Sequence, residues 1–409
     1  MTAIIATLNK HGVAIASDSA ATISNGIIGK VYNTANKLFA LSKIHPLGIM
    51  ICGNAEFMGI PWDIIIKGYR KQLKDRSFDT LQDYADDLIS YLKSGAVPFS
   101  VRKSQLSEVI HFFNSEVSSF MRSMLPPNLP PNINIKIPIE QIKKRMEDQI
   151  NRDELGESVC DSLFAHFQEL IATNNPLFST RDQGLLAIRT LIEKYVFKQY
   201  LRKHMSELVI VGYGETELFP SLQNVSFFSS IGVDWEVHKW PVRKITEDVT
   251  GMICPFAQRD DMVTMIEGVH PILGEYMVKN VMNTLIDFKR DIISQVQDSK
   301  VKQQIKIIDE SRYVADFEKK FVMLKQRVYI SPLMSNIGLL EKEDLAKLAE
   351  NMIAITSLRK KISMEQESVG GPIDLAVISK YDGFIWLKRK YYFDKELNPQ
   401  FFANYYRDV

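Results

Sequence analysis

The sequence predicts an α+β fold: a four-layer αββα sandwich of two mainly antiparallel sheets carrying a helical insertion. Three observations lead there. Strand-like runs come in hairpin pairs at the N-terminus, in the middle and near the C-terminus, and hairpins pair antiparallel. Helix-periodic blocks separate those pairs. Sheets with one apolar face need helices laid over them to hide it.

In order, residues 2–8 (TAIIATL) and 13–17 (VAIAS) are short, small-residue and β-branched, joined by the glycine-ended connection NKHG, and read as a hairpin. After a loop SNGIIGK, segments around Val31, from Lys37 to Leu41 and from Leu47 to Cys52 read as further strands with a turn at SKIHP. Gly53 is expected to end the last of these and to begin a helix through AEFMGIPWDIIIKGYRKQL. From about 78 to 205 the apolar residues recur at helical spacing, as in LQDYADDLISYLK. This block is interrupted at 126–138, where five prolines in 13 residues forbid a helix and favour an extended spacer or a proline-rich ligand. Strands resume at ELVIVGYGE, VSFFSSIGV and WEVHKWPVRKIT, a helical run covers 258–362, and GGPIDLAVISKYDGFIWLKRK reads as a hairpin on its Asp-Gly turn. The expected division is 1–75 with 206–409 as the αββα domain and 76–205 as the inserted helical domain.

Composition narrows the functional classes. The 409 residues are 45% hydrophobic and 24% charged, within the ordinary globular range for two or three domain-sized units or one domain with an insertion. Fifty basic against 49 acidic residues leave a formal charge of +1, so no global field draws the chain to nucleic acid or to an anionic membrane. Cys52, Cys160 and Cys254 are odd in number, widely spaced and free of metal-ligand spacing, which fits buried thiols in a reducing compartment. With no signal-like N-terminus and no apolar run of about 18 residues, the expectation is a soluble cytoplasmic protein. The seven histidines are scattered singly and argue against a zinc centre. GYGETE lacks the lysine of a phosphate loop, and KRKYY at a hairpin end reads as a solvated edge. Asp260 and Asp261 are expected to open a helix, where acids meet the positive dipole end.

The chemistry concentrates in the first 56 residues. Thr2 follows Met1 and opens the first strand, Asp18 closes the second in HGVAIASDSAAT, Lys37 starts a later strand in NKLFAL, and LGIMICGNAE follows. A threonine can use its own backbone amine as base only when it is the first residue of the mature chain, so removal of Met1 would make Thr2 a candidate nucleophile.

In combination these segments resemble the proteasome-type N-terminal nucleophile (Ntn) hydrolases, which include the proteasome β subunits and the bacterial HslV-type peptidase. VGYGE and SVGGPIDLAVI look like the family's later glycine-rich strands. The resemblance implies an Ntn-hydrolase sandwich and a threonine peptidase or amidohydrolase without metal or organic cofactor, acting on a peptide or protein as a homo-oligomer. It assigns catalysis to Thr2, Asp18 and Lys37, and the oxyanion donor to the backbone of Cys52 or Gly53. Substrate would pair as an added strand with Ala21 or Thr22 on one side and Asn54 on the other, with Met50 and Asn54 bordering a pocket for a medium-sized apolar side chain. Where the family carries small hydroxyls and acids near the nucleophile, this chain offers Tyr213 and Glu215, and Glu365 or Glu367 with Ser368. The alternative is a catalytically silent scaffold or regulatory subunit that binds a protein partner through the helical insertion.

Overall fold

Small and β-branched residues at the start of the chain form β1 (Ala3–Asn9) and β2 (Gly12–Ser17), turned back on each other over two residues. Asn9 closes that turn: its Oδ1 accepts from the His11 and Gly12 N–H groups at 2.9 and 3.2 Å. The computed structural model describes residues 3–24, 29–97, 183–230, 234–363 and 369–407, with isolated positions 115 and 164. Further strands follow in chain order: β3 (Ala21–Ser24), β4 (Gly29–Tyr32), β5 (Leu38–Ala40), β6 (Leu47–Gly53), β7 (Glu56–Phe57) and β8 (Ile60–Pro61). Helices α1 (Trp62–Leu73), α2 (Leu81–Lys93) and α3 (Gln183–His204) precede β9 (Ser206–Gly212), β10 (Ser221–Ser230), β11 (Asp234–Lys239), β12 (Arg243–Lys244) and β13 (Gly251–Ala257). Then come α4 (Asp260–Glu267), α5 (Pro271–Gln295), α6 (Ser299–Lys306), α7 (Ser311–Lys325), a π-turn (Gln326–Ile330), α8 (Ser331–Ile337) and α9 (Lys342–Ile362). The chain continues through β14 (Asp374–Ser379), β15 (Gly383–Lys388) and α10 (Pro399–Arg407). The fold is α+β with antiparallel sheets, and it separates into two compact units.

The first unit comprises Met1–Leu38, Leu218–Ser221 and Lys244–Val409. Its sheet has the order β13-β1-β2-β14-β15, with the β1/β13, β1/β2, β2/β14 and β14/β15 pairs all antiparallel. Ala3, Ile5, Ala14, Ala16, Leu375 and Val377 share one core with Met262 and Ile266 of α4, Ile337 of α8 and Leu345, Ala349 and Ile353 of α9. Ile4, Ala6, Leu8, Val13 and Ile15, which alternate onto the other face, are equally inaccessible to water. Burial on both faces explains why β1 and β2 read as continuous apolar runs without polar alternation. Asn9 ties the sheet to the helices, its Nδ2 donating to Ile337 O at 2.9 Å, at the C-terminal end of α8, and to Leu340 O at 2.7 Å in the connection to α9.

β13 has no counterpart in the sequence reading. GMICPFA carries a proline and no period-two pattern, yet it pairs with β1 from Ala3↔Ala257 to Asn9↔Gly251. Its place at the edge resolves this, because a strand paired on one side only can hold a proline where no ladder N–H is required. The segment read as one helical run over 258–362 is six helices and a π-turn, restarted by Pro271 and Pro332 in first turns, where proline fits without losing a hydrogen bond.

The second unit comprises Phe39–Glu217 and Leu222–Arg243. Its sheet order is β11-β10-β9-β6-β5, with β12 on β10. β6 and β9 pair antiparallel from Leu47↔Gly212 to Gly53↔Ser206. Trp62, Ile66, Tyr69 and Leu73 of α1, and Tyr84, Leu88 and Leu92 of α2, pack on Ile49, Ile51, Leu208, Ile210 and Phe227. Helix α2, which falls within the block expected to be inserted, therefore shares its core with the sheet. Thr80 and Asp83 form a reciprocal capping box at its start. Most of 76–205, including the proline-rich 126–138, lies outside the described residues.

The helix expected to begin at Gly53 begins instead at Trp62. The intervening residues form the β7–β8 hairpin, whose turn residues Met58 and Gly59 have φ of 50° and 79°, both left-handed as a two-residue I′ turn requires. Pro61 explains the delay, because it disfavours helical backbone at Ile60 and supplies the fixed φ from which α1 starts.

Candidate active site around Asp18 and Lys37

Within the first unit, the antiparallel ladder runs one residue past β2: Asp18 N–H donates to Ala3 O at 3.1 Å. The Asp18 carboxylate then folds back on the strand it has just paired. Its Oδ1 accepts the Ala3 N–H at 2.9 Å and the Lys37 Nζ at 2.6 Å. Its Oδ2 accepts the N–H groups of Ala20 and Gly370, each at 3.1 Å. Lys37 Nζ also donates to Ala20 O at 2.5 Å. Side-chain exposure is 1% for Asp18 and 6% for Lys37, so neither charge is left to water. Two charges can be withdrawn together only when extra hydrogen bonds offset desolvation, and four donors on one carboxylate meet that condition.

Three chain segments converge to build this arrangement. Ser19 N–H donates to Gly370 O at 3.1 Å, the Ser19 hydroxyl donates to Pro372 O, and Ala35 N–H donates to Ser19 O at 3.1 Å. Gly371 has φ +76°, and a Cβ there would stand 2.8 Å from the Cβ of Asn33. Only glycine lets the 370–372 segment approach the 33–37 segment this closely. Sequence reading named Asp18 and Lys37 but missed Ala20, Gly370 and Asn33, whose contributions are backbone groups and close packing. The glycine pair in SVGGP was the one available signal.

Thr2, Glu365, Glu367 and Ser368 lie outside the described residues. Ala21 and Thr22 stand in β3, paired with Tyr32 and Val31 of β4, where a strand at Val31 was expected to follow a plain loop.

The other expected residues belong to the second unit. Met50 is fully buried in β6, and Cys52 nearly so. Gly53 has φ +75°, and a Cβ there would lie 2.5 Å from Met205 O. That left-handed turn carries the chain on beside β9, so Asn54 N–H donates to Met205 O at 3.0 Å and Asn54 O accepts from the Ser206 hydroxyl at 3.1 Å. The main-chain groups expected to pair with substrate at Asn54 are thus engaged internally. Tyr213 and Glu215 sit at the opposite end of the same strand pair: Tyr213 N–H donates to Pro46 O at 3.2 Å, and a Glu215 carboxylate oxygen is 3.5 Å from His45 Nδ1. Burial pushes the Tyr213 phenol up from its ordinary value. Six strand steps, about 20 Å, separate this end from Cys52 and Gly53. One site cannot use both, so Tyr213 and Glu215 do not support a nucleophile whose oxyanion turn is Cys52–Gly53.

Among the described residues no group of three or more His, Cys, Asp or Glu side chains is gathered to hold a metal ion, and no helix is long and apolar enough to cross a membrane.

No family model matches the chain, and no curated protein matches it in sequence. Solved structures similar to it include Anbu (ancestral beta-subunit) from Yersinia bercovieri, 9% identical with TM-score 0.27 over 99% of this chain and 95% of that one. Another is described as a helical assembly of the Anbu complex from Pseudomonas aeruginosa, 10% identical with TM-score 0.29 over 99% of this chain and 94% of that one. Anbu from Hyphomicrobium sp. strain MC1 is 9% identical, with TM-score 0.28 over 99% and 95% of the two chains. These are Anbu proteins, a family distinct from the proteasome β subunits and the HslV-type peptidase. The placement in the β-subunit and HslV-type group suggested by the sequence is corrected accordingly.

Proposed function

We propose that the chain hydrolyses peptide or other amide bonds with Thr2 as nucleophile once Met1 is removed, its two helix-backed sheets stacked as a four-layer αββα sandwich. One observation carries the reading. A single buried oxygen, Asp18 Oδ1, holds both the Lys37 ammonium and the Ala3 amide, which belongs to the peptide bond joining Ala3 to Thr2. The Ala3 amide and the Lys37 ammonium thus share one acceptor, which supports a role for the ammonium in the chemistry proposed for Thr2.

In this mechanism the Thr2 hydroxyl attacks the substrate carbonyl carbon while its α-amine, of reference pKa about 7.7–8.0, takes the proton. The Lys37 ammonium favours the deprotonated forms of both groups, and Asp18 compensates the lysine. The C–N bond breaks, the leaving amine takes the proton, and an ester to Thr2 remains. Water, deprotonated by the same amine, attacks that ester and releases a carboxylate and free Thr2. Backbone N–H groups at Cys52 or Gly53 are the proposed oxyanion donors. A peptide or protein substrate adding along β3 at Ala21 and Thr22, a homo-oligomer and a cytoplasmic setting complete the proposal.

The internal saturation of Asp18 also favours a second reading, a silent scaffold in which the ion pair only braces the fold. Intact-mass measurement followed by exposure to an epoxyketone or β-lactone and peptide mapping separates the two. The enzyme reading expects a mature N-terminal threonine and an adduct on Thr2 that Thr2→Ala abolishes. A retained Met1, or an unlabelled mature Thr2, leaves the scaffold.

A further inference from the structure

Helix α5 is 25 residues long and buries none of them. Among the described residues it packs mainly on α7 and α6, and less on α4, in a helical arm whose base belongs to the first unit. There Lys325 Nζ meets Glu267 at 2.5 Å, and the Tyr329 ring lies so close over Gly268 that a Cβ would stand 2.6 Å from it. Beyond the base, Lys289 Nζ clamps the arm by donating to Lys306 O at 3.0 Å and Ile308 O at 2.6 Å, with Glu310 at 2.8 Å. The arm is therefore pre-formed. Its outer surface is apolar: Ile307 is 77% exposed, Ile272 67%, Tyr276 and Phe288 63%, and Met323 61%.

Helices this long are held in place by burying an apolar face. Summed over all faces of the arm, the exposed apolar side chains amount to on the order of 1,000 Å². That area matches the ~800 Å² each partner contributes to a stable interface. The exposed charges along α5 and α7 are of both signs, Glu275, Asp287 and Asp316 with Lys279, Arg290 and Lys320, so no strongly acidic or basic partner is specified. A surface of mixed sign can pair with its own image.

We infer that the arm formed by α5, α6 and α7 is a self-association surface, covered by the same arm of a second copy of this chain about a two-fold axis. Because the hairpin is tied before association, little ordering cost opposes the contact.

Sedimentation equilibrium of the full chain over a range of concentrations tests this. Wild type is expected to associate, and Tyr276→Glu and Met323→Glu are each expected to weaken association by at least about tenfold. Tyr381→Glu, at a 90% exposed position on the β14–β15 turn outside the arm, should leave association unchanged. Amide exchange in α5 should slow as concentration rises. A chain monomeric throughout, or association indifferent to both arm variants, overturns the inference. So does exchange protection of α5 that is independent of concentration, which would mean that the chain covers its own arm, or protection that appears only with phosphatidylcholine vesicles.

Discussion

Lys37 Nζ lies 2.6 Å from Asp18 Oδ1, and the same oxygen accepts the Ala3 N–H at 2.9 Å. One atom thus links the first strand of the sheet to a lysine that precedes β5. Asp18→Ala removes the acceptor and leaves a buried ammonium uncompensated. Urea unfolding is expected to show a loss of about 3–5 kcal/mol, most of it recovered in the Asp18→Leu, Lys37→Met double variant.

Lys37→Met has the opposite balance. Asp18 keeps its three backbone donors, so the stability loss should be the smaller of the two, while the electrostatic help to Thr2 disappears. Labelling of mature Thr2 by a β-lactone should slow by about 10²-fold or more. An unchanged labelling rate would remove Lys37 from the proposed chemistry.

Asn9 makes four hydrogen bonds from a fully buried side chain. Asn9→Leu preserves volume but removes the donor to the Ile337 and Leu340 carbonyls and the side-chain acceptor of two N–H groups of the β1–β2 turn. The expected destabilisation is at least about 3 kcal/mol by chemical denaturation. A loss under 1 kcal/mol, in about the range of a single exposed hydrogen bond, would show that water replaces the amide.

Gly53→Ala tests the left-handed turn that carries β6 past its last paired residue. The φ of +75° and the 2.5 Å approach of Met205 O together predict a loss of roughly 2–3 kcal/mol, read as a lower thermal midpoint. Gly59→Ala has the same sign of φ but open space around it, and should cost about 1 kcal/mol.

Burial raises the phenol of Tyr213 and pushes that of Tyr200 up to about 12; at Tyr69 burial and then the Asp87 charge act in the same direction. In the unfolded chain these phenols release their protons near pH 10. Above that value the unfolded state binds fewer protons than the native one, so stability falls as pH rises. The stabilisation is fully present below about pH 10 and is lost on climbing through the folded values. Denaturant midpoints at stepped alkaline pH should decline, and absorbance at 295 nm should show a group of tyrosines titrating only with unfolding. Tyr213→Phe should make the decline shallower.

Much of the fold could be read along the chain. Residues 2–8 and 13–17 declared a hairpin by residue type, KYDG declared another, and Asp260–Asp261 marked a helix start. What failed did so for local reasons. Pro255 hid β13 by breaking its pattern, and Met58–Gly59–Ile60–Pro61 hid a small hairpin inside what looked like the first turns of a helix. Nothing in the apolar spacing of residues 271–330 revealed that their helices pack mainly on one another.

The site divides in the same way. Sequence alone singled out the side chains proposed for the chemistry, because Thr2, Asp18 and Lys37 stand out by type and order within 40 residues of each other. Tertiary structure alone decided how Asp18 is held. Its partners include an ammonium 19 residues away and the N–H of Gly370, 352 residues away. It also decided that Tyr213 and Cys52 stand at opposite ends of one strand pair. Backbone donors and antiparallel register are blind to side-chain identity, so only the folded chain could place them.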